Sequence, residues 1–146
     1  MSDVILVAVN DSRAAFRAAE VAVDYASRLG ASLRVVTVRE PEALVKHPGS
    51  IDPAALARHA DLAAEAALRH VAALAVAVGV EVSFGQRSGR VAAEILAEAR
   101  EVNAVLIVVA LVDRPGNTTP YIGSHTLRVL EFAGIPVLVV PLPERL

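Results

Sequence analysis

Residues 4–12 read VILVAVNDS, an unbroken aliphatic run that ends in three polar residues. A strand with one solvent-facing side would alternate apolar and polar residues, so a run that is apolar throughout indicates a strand covered on both faces. From Ser12 the apolar residues recur with a helical period as far as Leu29. A buried strand, a tight polar turn and a helix in this order are typical of an α/β domain with a parallel sheet.

The same alternation of strands and helices continues along the chain. Five β-branched runs predict strands. They are residues 4–9, Leu33–Val38, Val80–Phe84, Ala104–Val109 and Val137–Val140. Helical periods predict helices at Ser12–Leu29, from Asp52-Pro53 to about Val78, at Val91–Glu101 and at Ser124–Phe132. We therefore expect one α/β domain over residues 1–146, a three-layer open parallel five-stranded sheet with helices on both faces.

The polar and apolar positions of the helices predict which sides face the core. In the first helix the buried stripe is Phe16, Ala19, Val23 and Ala26, with Gly30 as the C-terminal cap. In the second helix the apolar face is Leu56, Ala60, Ala63, Ala67, Val71, Leu74 and Val78, and the opposite face, spaced for local ion pairs, is Arg58, Asp61, Glu65 and Arg69. Glu94, Glu98 and Glu101 have helical spacing in the third helix, which predicts a solvated face.

Composition excludes several classes of protein. The chain has no cysteine, which excludes disulfides and thiol catalysis. Its net charge of -2 and 3% aromatic content disfavour nucleic-acid binding, because basic patches and stacking rings are scarce. The longest apolar run, Ala104–Val112, is far shorter than the roughly 20 residues that cross a bilayer. We expect a cytoplasmic protein without a membrane segment, a metal site or a catalytic nucleophile–base set, and hence not an enzyme.

The carboxyl ends of the strands are where a parallel sheet binds ligands. Asn10 and Ser12 follow the first predicted strand, and the segment Ala110–Ser124 follows the fourth. Gly123-Ser124 opens a helix, and a helix N-terminus offers free N–H donors to an anion. Ser124 is equally well explained as a helix cap, so the sequence leaves a phosphate site and a simple cap both open.

The order of these segments resembles the universal stress protein family over nearly the whole chain. The similar segments are Ile5–Ser12, Ala22–Gly30, Ala31–Val38, Gly89 with Ile95-Leu96, and Ile135–Pro141. The resemblance implies a nucleotide site in which Asn10 stands where the family has an aspartate and Val38 at the adenine contact. The family loop has a glycine, two residues, a glycine, nine residues, then glycine and Ser or Thr. Here its first two glycines fall on Ala110 and Asp113, and its end on Gly123-Ser124.

These departures lead to two hypotheses about nucleotide binding. Glycines let a backbone approach phosphates closely, and a carboxylate at Asp113 repels them unless Arg114 neutralises it. The first hypothesis is a stress-response protein in which ATP binding is weak or lost. The alternative is an ATP or AMP sensor, with Mg²⁺, that uses the same strand-end site. The site predicted from the resemblance consists of Asn10, Ser12, Val38, Ala110, Asp113, Arg114, Gly123, Ser124 and His125.

The last predicted strand, Val137, Leu138, Val139 and Val140, is aliphatic throughout. An unprotected strand edge invites pairing with another chain, and in the family this strand mediates dimerisation. We therefore expect a homodimer formed through these four residues.

Two other α/β interpretations are disfavoured by the sequence. A receiver domain needs an aspartate after the third strand, and a flavodoxin-like site needs a Ser/Thr-rich loop after the first strand, and neither is present.

Overall fold

The computed structural model describes residues 3–10, 12–40, 52–111 and 124–141, apart from the side chains of residues 53, 56, 57 and 60. The elements are β1 (Val4–Ala8), α1 (Arg13–Leu29), β2 (Ser32–Arg39), α2 (Pro53–Ala77), β3 (Val82–Ser88), α3 (Val91–Glu101), β4 (Leu106–Ala110), α4 (Ser124–Phe132) and β5 (Val137–Val140). The strands form one sheet in the order β3-β2-β1-β4-β5, and every neighbouring pair is parallel. The predicted five-stranded α/β architecture is confirmed.

Helices cover both faces of this sheet. The first face, under α1 and α2, buries Ile5, Val7, Val35 and Val108 together with the alanines of α1. The second face, under α3 and α4, buries Leu6, Val36, Ile107 and Val129. Consecutive strand residues belong to opposite faces, as the two-residue period requires. This explains why β1 has no polar position between Val4 and Ala8.

Three helix boundaries follow from capping residues that the sequence identifies. The Ser12 side chain accepts a hydrogen bond from the Ala15 backbone N–H at the start of α1. Asp52 does the same for Ala54 at the start of α2, ahead of the proline at the first helical position. Gly30 ends α1 with a φ of 63°, a left-handed conformation that glycine adopts without steric cost.

Strands β3 and β4 begin later than their predicted positions because the preceding helices need longer caps. Gly79, with a φ of 72°, reverses the chain after α2, and the Val80 N–H donates to the Ala75 carbonyl. Val80 thus belongs to the helix cap, and β3 runs on to Ser88, past its predicted end at Phe84. Asn103, with a φ of 52°, makes the same turn before β4. Ala110 is therefore the last residue of β4 rather than the first residue of a loop.

Two details of α2 differ from expectation. Ala67 and Val71 are buried as predicted, but Val78 is 52% exposed, because the helix ends at Ala77 and the chain turns away. The polar face was expected to form ion pairs along the helix, whereas Asp61 pairs with Arg39 of β2. The predicted apolar contributions of Leu56 and Ala60 lie outside the described side chains.

A buried carboxylate fastens α3 to the edge of the sheet. Glu98 is only 3% exposed and accepts hydrogen bonds from Arg34 of β2 at 2.8 Å and Arg87 of β3 at 2.9 Å. Arg87 also donates to Glu94 and Glu101, each at 2.9 Å. The prediction that these three glutamates form a solvated face is wrong for Glu98, which is buried, whereas Glu94 is half-buried and Glu101 is exposed. Arg87 and Arg34 project from strands onto the same side of the helix, so helical spacing alone could not reveal them.

Two opposing effects act on the ionisation of Glu98. Burial raises its pKa, but the hydrogen bonds from Arg34 and Arg87 outweigh burial, and the net result is a pKa below the ordinary value of 4.5. The hydrogen bonds with Glu94, Glu101 and Glu98 raise the pKa of Arg87 above its already high ordinary value. Both groups are therefore charged at neutral pH, and the pairs persist as ion pairs.

We expect Glu98→Ala to lower the free energy of unfolding by about 2–3 kcal/mol, because two charge-assisted hydrogen bonds are lost and Arg34 is left without this partner. Urea denaturation at pH 7 measures the change. Glu101→Ala is the matched control, since the Glu101 side chain is 65% exposed and should contribute less than about 0.5 kcal/mol. Equal losses in both variants would contradict a special role for the buried carboxylate.

The same network predicts a pH dependence of stability. The folded-state pKa of Glu98 lies below its unfolded value, so its contribution is complete above about pH 5 and is lost as the pH falls through the folded pKa. The difference in unfolding free energy between the wild type and Glu98→Gln should therefore stay constant from pH 7 to 5 and shrink below about pH 4. A difference that grows on acidification would reverse the sign and exclude this assignment.

Candidate functional site

A cavity of about 610 Å³ opens at the carboxyl ends of the central strands, between the starts of α1 and α4. All the strands are parallel, so β1, β2 and β4 end at the same edge, and the N-termini of the following helices face it. The walls are mainly aliphatic and include Val36, Val38, Ile95, Val109 and Val129. The cavity is thus an apolar depression with a few polar groups at its rim, the usual make-up of a small-molecule site.

Five of the nine residues predicted for the site line this cavity: Asn10, Ser12, Val38, Ala110 and His125. Ser124 is the first residue of α4 and is exposed, but it is not among the lining residues. Asp113, Arg114 and Gly123 lie outside the described residues, as does most of the loop that the resemblance concerns. The described half of the predicted site therefore comes together in space, although its members are up to 115 positions apart in the sequence.

Ser12 and Ala110 are already engaged in backbone structure. The Ser12 hydroxyl oxygen accepts from Ala15 at 3.1 Å, which occupies part of its hydrogen-bonding capacity. The Ala110 carbonyl accepts from the hydroxyl of Thr126 at 3.1 Å, and Ala110 pairs with Val140 in the sheet. The backbone at Ala110 is therefore extended and fixed to its neighbours rather than looped.

Thr126 is a residue of the cavity that the sequence analysis missed. It is 5% exposed, and its hydrogen bond to Ala110 fixes the first turn of α4 against the end of β4. The only sequence signal was its place two residues after Ser124, and a threonine in the first turn of a helix is too common to single out.

Glu40 and His125 meet at the rim. The Nε2 of His125 lies 3.5 Å from a carboxylate oxygen of Glu40, so the residue after β2 meets the start of α4 across the opening. Arg13 also lines the cavity. The sequence analysis included His125 but not Glu40, because the order of the strands decides that these two residues meet.

The described part of the chain limits which groups the site can offer. Within residues 3–10, 12–40, 52–111 and 124–141, no group of three His, Cys, Asp or Glu side chains could hold a metal ion. The same residues include no helix that is both long and apolar enough to cross a membrane. What the rim supplies is hydrogen bonding from Asn10, Ser12 and His125 above an aliphatic floor.

A family model matches almost the whole length of this chain. Residues 1–141 match the model of the universal stress protein family. The chain belongs to the universal stress protein family. No curated protein is similar enough to the chain to count as a match. The resemblance seen in the sequence is thereby confirmed, and the fold just described is the fold of the solved members.

Three solved structures illustrate the likeness. The universal stress protein UspA from Lactobacillus plantarum is 24% identical, with a TM-score of 0.80 over 95% of this chain and 97% of that one. A universal stress protein family member from Burkholderia pseudomallei is 28% identical, with a TM-score of 0.75 over 97% of both chains. The universal stress protein from Archaeoglobus fulgidus in complex with dAMP is 19% identical, with a TM-score of 0.67 over 96% of this chain and 98% of that one.

Proposed function

We propose that this universal stress protein acts in the stress response as a homodimer whose nucleotide site binds ATP weakly or not at all. The main support for the weak binding of ATP is the backbone conformation and hydrogen bonding of Ala110. The resemblance places the first phosphate-loop glycine there, but the residue is an extended member of β4 whose carbonyl is bonded to Thr126. At this fixed strand end the alanine methyl group keeps a phosphate farther from the backbone than a glycine would.

The charges at the rim support the same conclusion. Glu40 places a carboxylate at the opening of the cavity, and its partner His125 engages it at 3.5 Å. A polyphosphate would bring several negative charges next to this carboxylate, and the lining contributes one arginine, Arg13. Asp113, the second substituted glycine, adds a further carboxylate in the sequence of the loop.

The alternative is an adenine-nucleotide sensor with an intact function. A relative in complex with dAMP has the same fold, and the cavity of about 610 Å³ is in the size range of small-molecule sites. In that case Asn10 and Val38 would contact the nucleoside, with Mg²⁺ carried by the nucleotide. The phosphates would be held by Arg114, Asn117, Thr118 and Ser124. Neither hypothesis includes a catalytic step.

Nucleotide binding separates the two hypotheses. Protein denatured directly after purification should release no stoichiometric nucleotide, and calorimetric titration with MgATP should give a dissociation constant above about 1 mM. Restoring the glycines with Ala110→Gly and Asp113→Gly should tighten binding on the order of tenfold, because the backbone can then approach the phosphates.

The matched control for this pair is Asp3→Gly with Ala77→Gly, the same two exchanges at exposed positions remote from the cavity. The control should bind MgATP no better than the wild type. Micromolar binding by the wild type would establish the sensor instead, and an unchanged affinity in the reverted protein would exclude the lost glycines as the cause.

The edge of the sheet supports the dimer. Among the described residues β5 pairs with β4 alone, and the carbonyls of Pro136 and Val140 accept hydrogen bonds from the N–H groups of Ile107 and Leu111. Along a parallel strand the backbone groups alternate in direction, so those of Val137 and Val139 point to the open edge. Next to this edge α4 exposes Leu127 and Phe132, which are 53% and 65% accessible. An open strand edge beside exposed apolar side chains favours pairing with a second copy.

We expect the wild type to sediment as a dimer at micromolar concentration and Val139→Pro to sediment as a monomer at tenfold higher concentration. Proline removes an N–H that points to the open edge and leaves the bonds to β4 in place. Leu138→Pro is the contrasting variant, since it interrupts the β4–β5 ladder and should lower the melting temperature much more. A monomeric wild type, or a Val139→Pro variant that remains dimeric while folded, would contradict pairing through β5.

A further inference from the structure

A second cavity, of about 630 Å³, lies beyond β2, between the carboxyl ends of β2 and β3 and the first half of α2. Thr37, Gln86 and Ser88 line it from the strands, and Asp61 with two alanines line it from the helix. It shares the residues at the ends of β1 and β2 with the nucleotide cavity, including Asn10 and Val38. The two cavities are therefore neighbours with a common wall, and this one is called the Thr37 cavity below.

Thr37 is the unusual member of this lining. It is 8% exposed and lies on the face of the sheet that α1 and α2 cover, since it has the same parity as the buried Val35. Among the described residues its hydroxyl has no hydrogen-bond partner. Burying a hydroxyl costs free energy unless a hydrogen-bond partner is present, and for Thr37 that partner can come only from what occupies the cavity or from outside the described residues.

Thr126 provides the comparison within the same chain. It is equally buried, at 5% exposure, but its hydroxyl donates to the Ala110 carbonyl. One buried threonine thus has an internal partner and the other faces a cavity. The hydroxyl of Thr37 is available to a ligand in a way that the hydroxyl of Thr126 is not.

The charged residues of the Thr37 cavity are already paired. Arg39 forms an ion pair with Asp61, and Arg87 binds the three glutamates of α3. Glu40 meets His125 on the other side of the common wall. The lining contains two arginines and two acidic residues, so its formal charges cancel and it attracts neither anions nor cations strongly.

The remaining polar groups both donate and accept hydrogen bonds. They are the amides of Asn10 and Gln86 and the hydroxyls of Thr37 and Ser88. Ala63 and Ala64 leave room on the helix side, and the described lining includes no aromatic ring on which a base could stack. Groups of this kind match a compact molecule that has many hydroxyls and no charge.

We propose that the Thr37 cavity binds a neutral, hydroxyl-rich small molecule of the sugar or polyol class, with the Thr37 hydroxyl as its buried anchor. The site adjoins the nucleotide cavity but does not depend on it, because Thr37 is not part of that lining. A ligand hydroxyl at Thr37 supplies a hydrogen bond that none of the described residues makes.

The test is a titration of the full chain with D-ribose and with myo-inositol, followed by amide chemical shifts. We expect at least one of the two to give saturable shifts at Thr37, Gln86 and Ser88 with a millimolar dissociation constant. Thr37→Val should weaken that binding about tenfold, the factor expected when one buried hydrogen bond to the ligand is lost. Ribose 5-phosphate should bind no more tightly than ribose, because the lining has no net charge.

Melting temperatures of the ligand-free proteins supply an independent readout. Thr37→Val should melt at the wild-type temperature or above it, whereas Thr126→Val should melt lower, because only Thr126 loses an internal hydrogen bond. Thr37→Val should bind MgATP with the same affinity as the wild type. This test therefore remains valid even if the proposal about nucleotide binding fails. Shifts that do not saturate, binding unaffected by Thr37→Val, or a Thr37→Val protein that melts as low as Thr126→Val would each overturn the proposal.

Discussion

The complete burial of the central strands on both faces constrains the rest of the molecule. Ile5, Leu6 and Val7 are consecutive and each has no accessible surface, so both faces of β1 must be covered by helices. Helices can reach both faces only through crossover connections, which make the neighbouring strands parallel. Parallel strands in turn bring all their carboxyl ends to one edge. The position of both cavities is therefore a consequence of nine aliphatic and polar residues at the start of the chain.

The edge strand β3 is less buried, and ion pairs stabilise the side that α3 covers. Among the described residues β3 pairs with β2 alone, and the face under α3 carries Gly85 and Arg87, whereas Val82 on the other face packs against the core under α1 and α2. A Cβ at Gly85 would collide with the Glu98 carboxylate and lie 2.9 Å from an Arg34 nitrogen, so a larger residue there would require the side chains of the ion pair to shift. The paired charges thus replace a hydrophobic contact between α3 and the edge of the sheet.

The contrast between the buried central strands and the ion-paired edge strand explains which parts of the fold could be predicted from the sequence. The central strands and α1, α3 and α4 are predictable because burial produces a period, and the bounds of α3 and α4 agree with the structure. β3 was placed too early because alternation with arginine and glycine resembles a loop. Glu98 was assigned to solvent because a buried glutamate and an exposed one have the same helical spacing, and the difference lies in Arg34, which is 64 positions away.

The candidate site also contains residues that could be predicted from the sequence and residues that could not. Asn10 and Ala110 could be assigned to one cavity from strand ends, because parallel topology brings such residues together, and Val38 was added by the family resemblance. The contacts of Glu40 with His125 and of Thr126 with Ala110 could not be predicted, since they depend on which helix start faces which strand end. Thr37 could not be recognised for another reason. In sequence it is an ordinary β-branched strand residue, and what distinguishes it from the valines around it is a hydroxyl without a hydrogen-bond partner among the described residues.

The residue at position 10 links the two cavities. Asn10 lies in both linings, where the family resemblance leads one to expect an aspartate. A carboxylate there would add negative charge to a wall that already contains Glu40. The amide keeps a donor and an acceptor while it leaves the charges of the Thr37 cavity balanced. An amide in place of a carboxylate at position 10 thus removes charge from the nucleotide site and also leaves this position of the common wall uncharged.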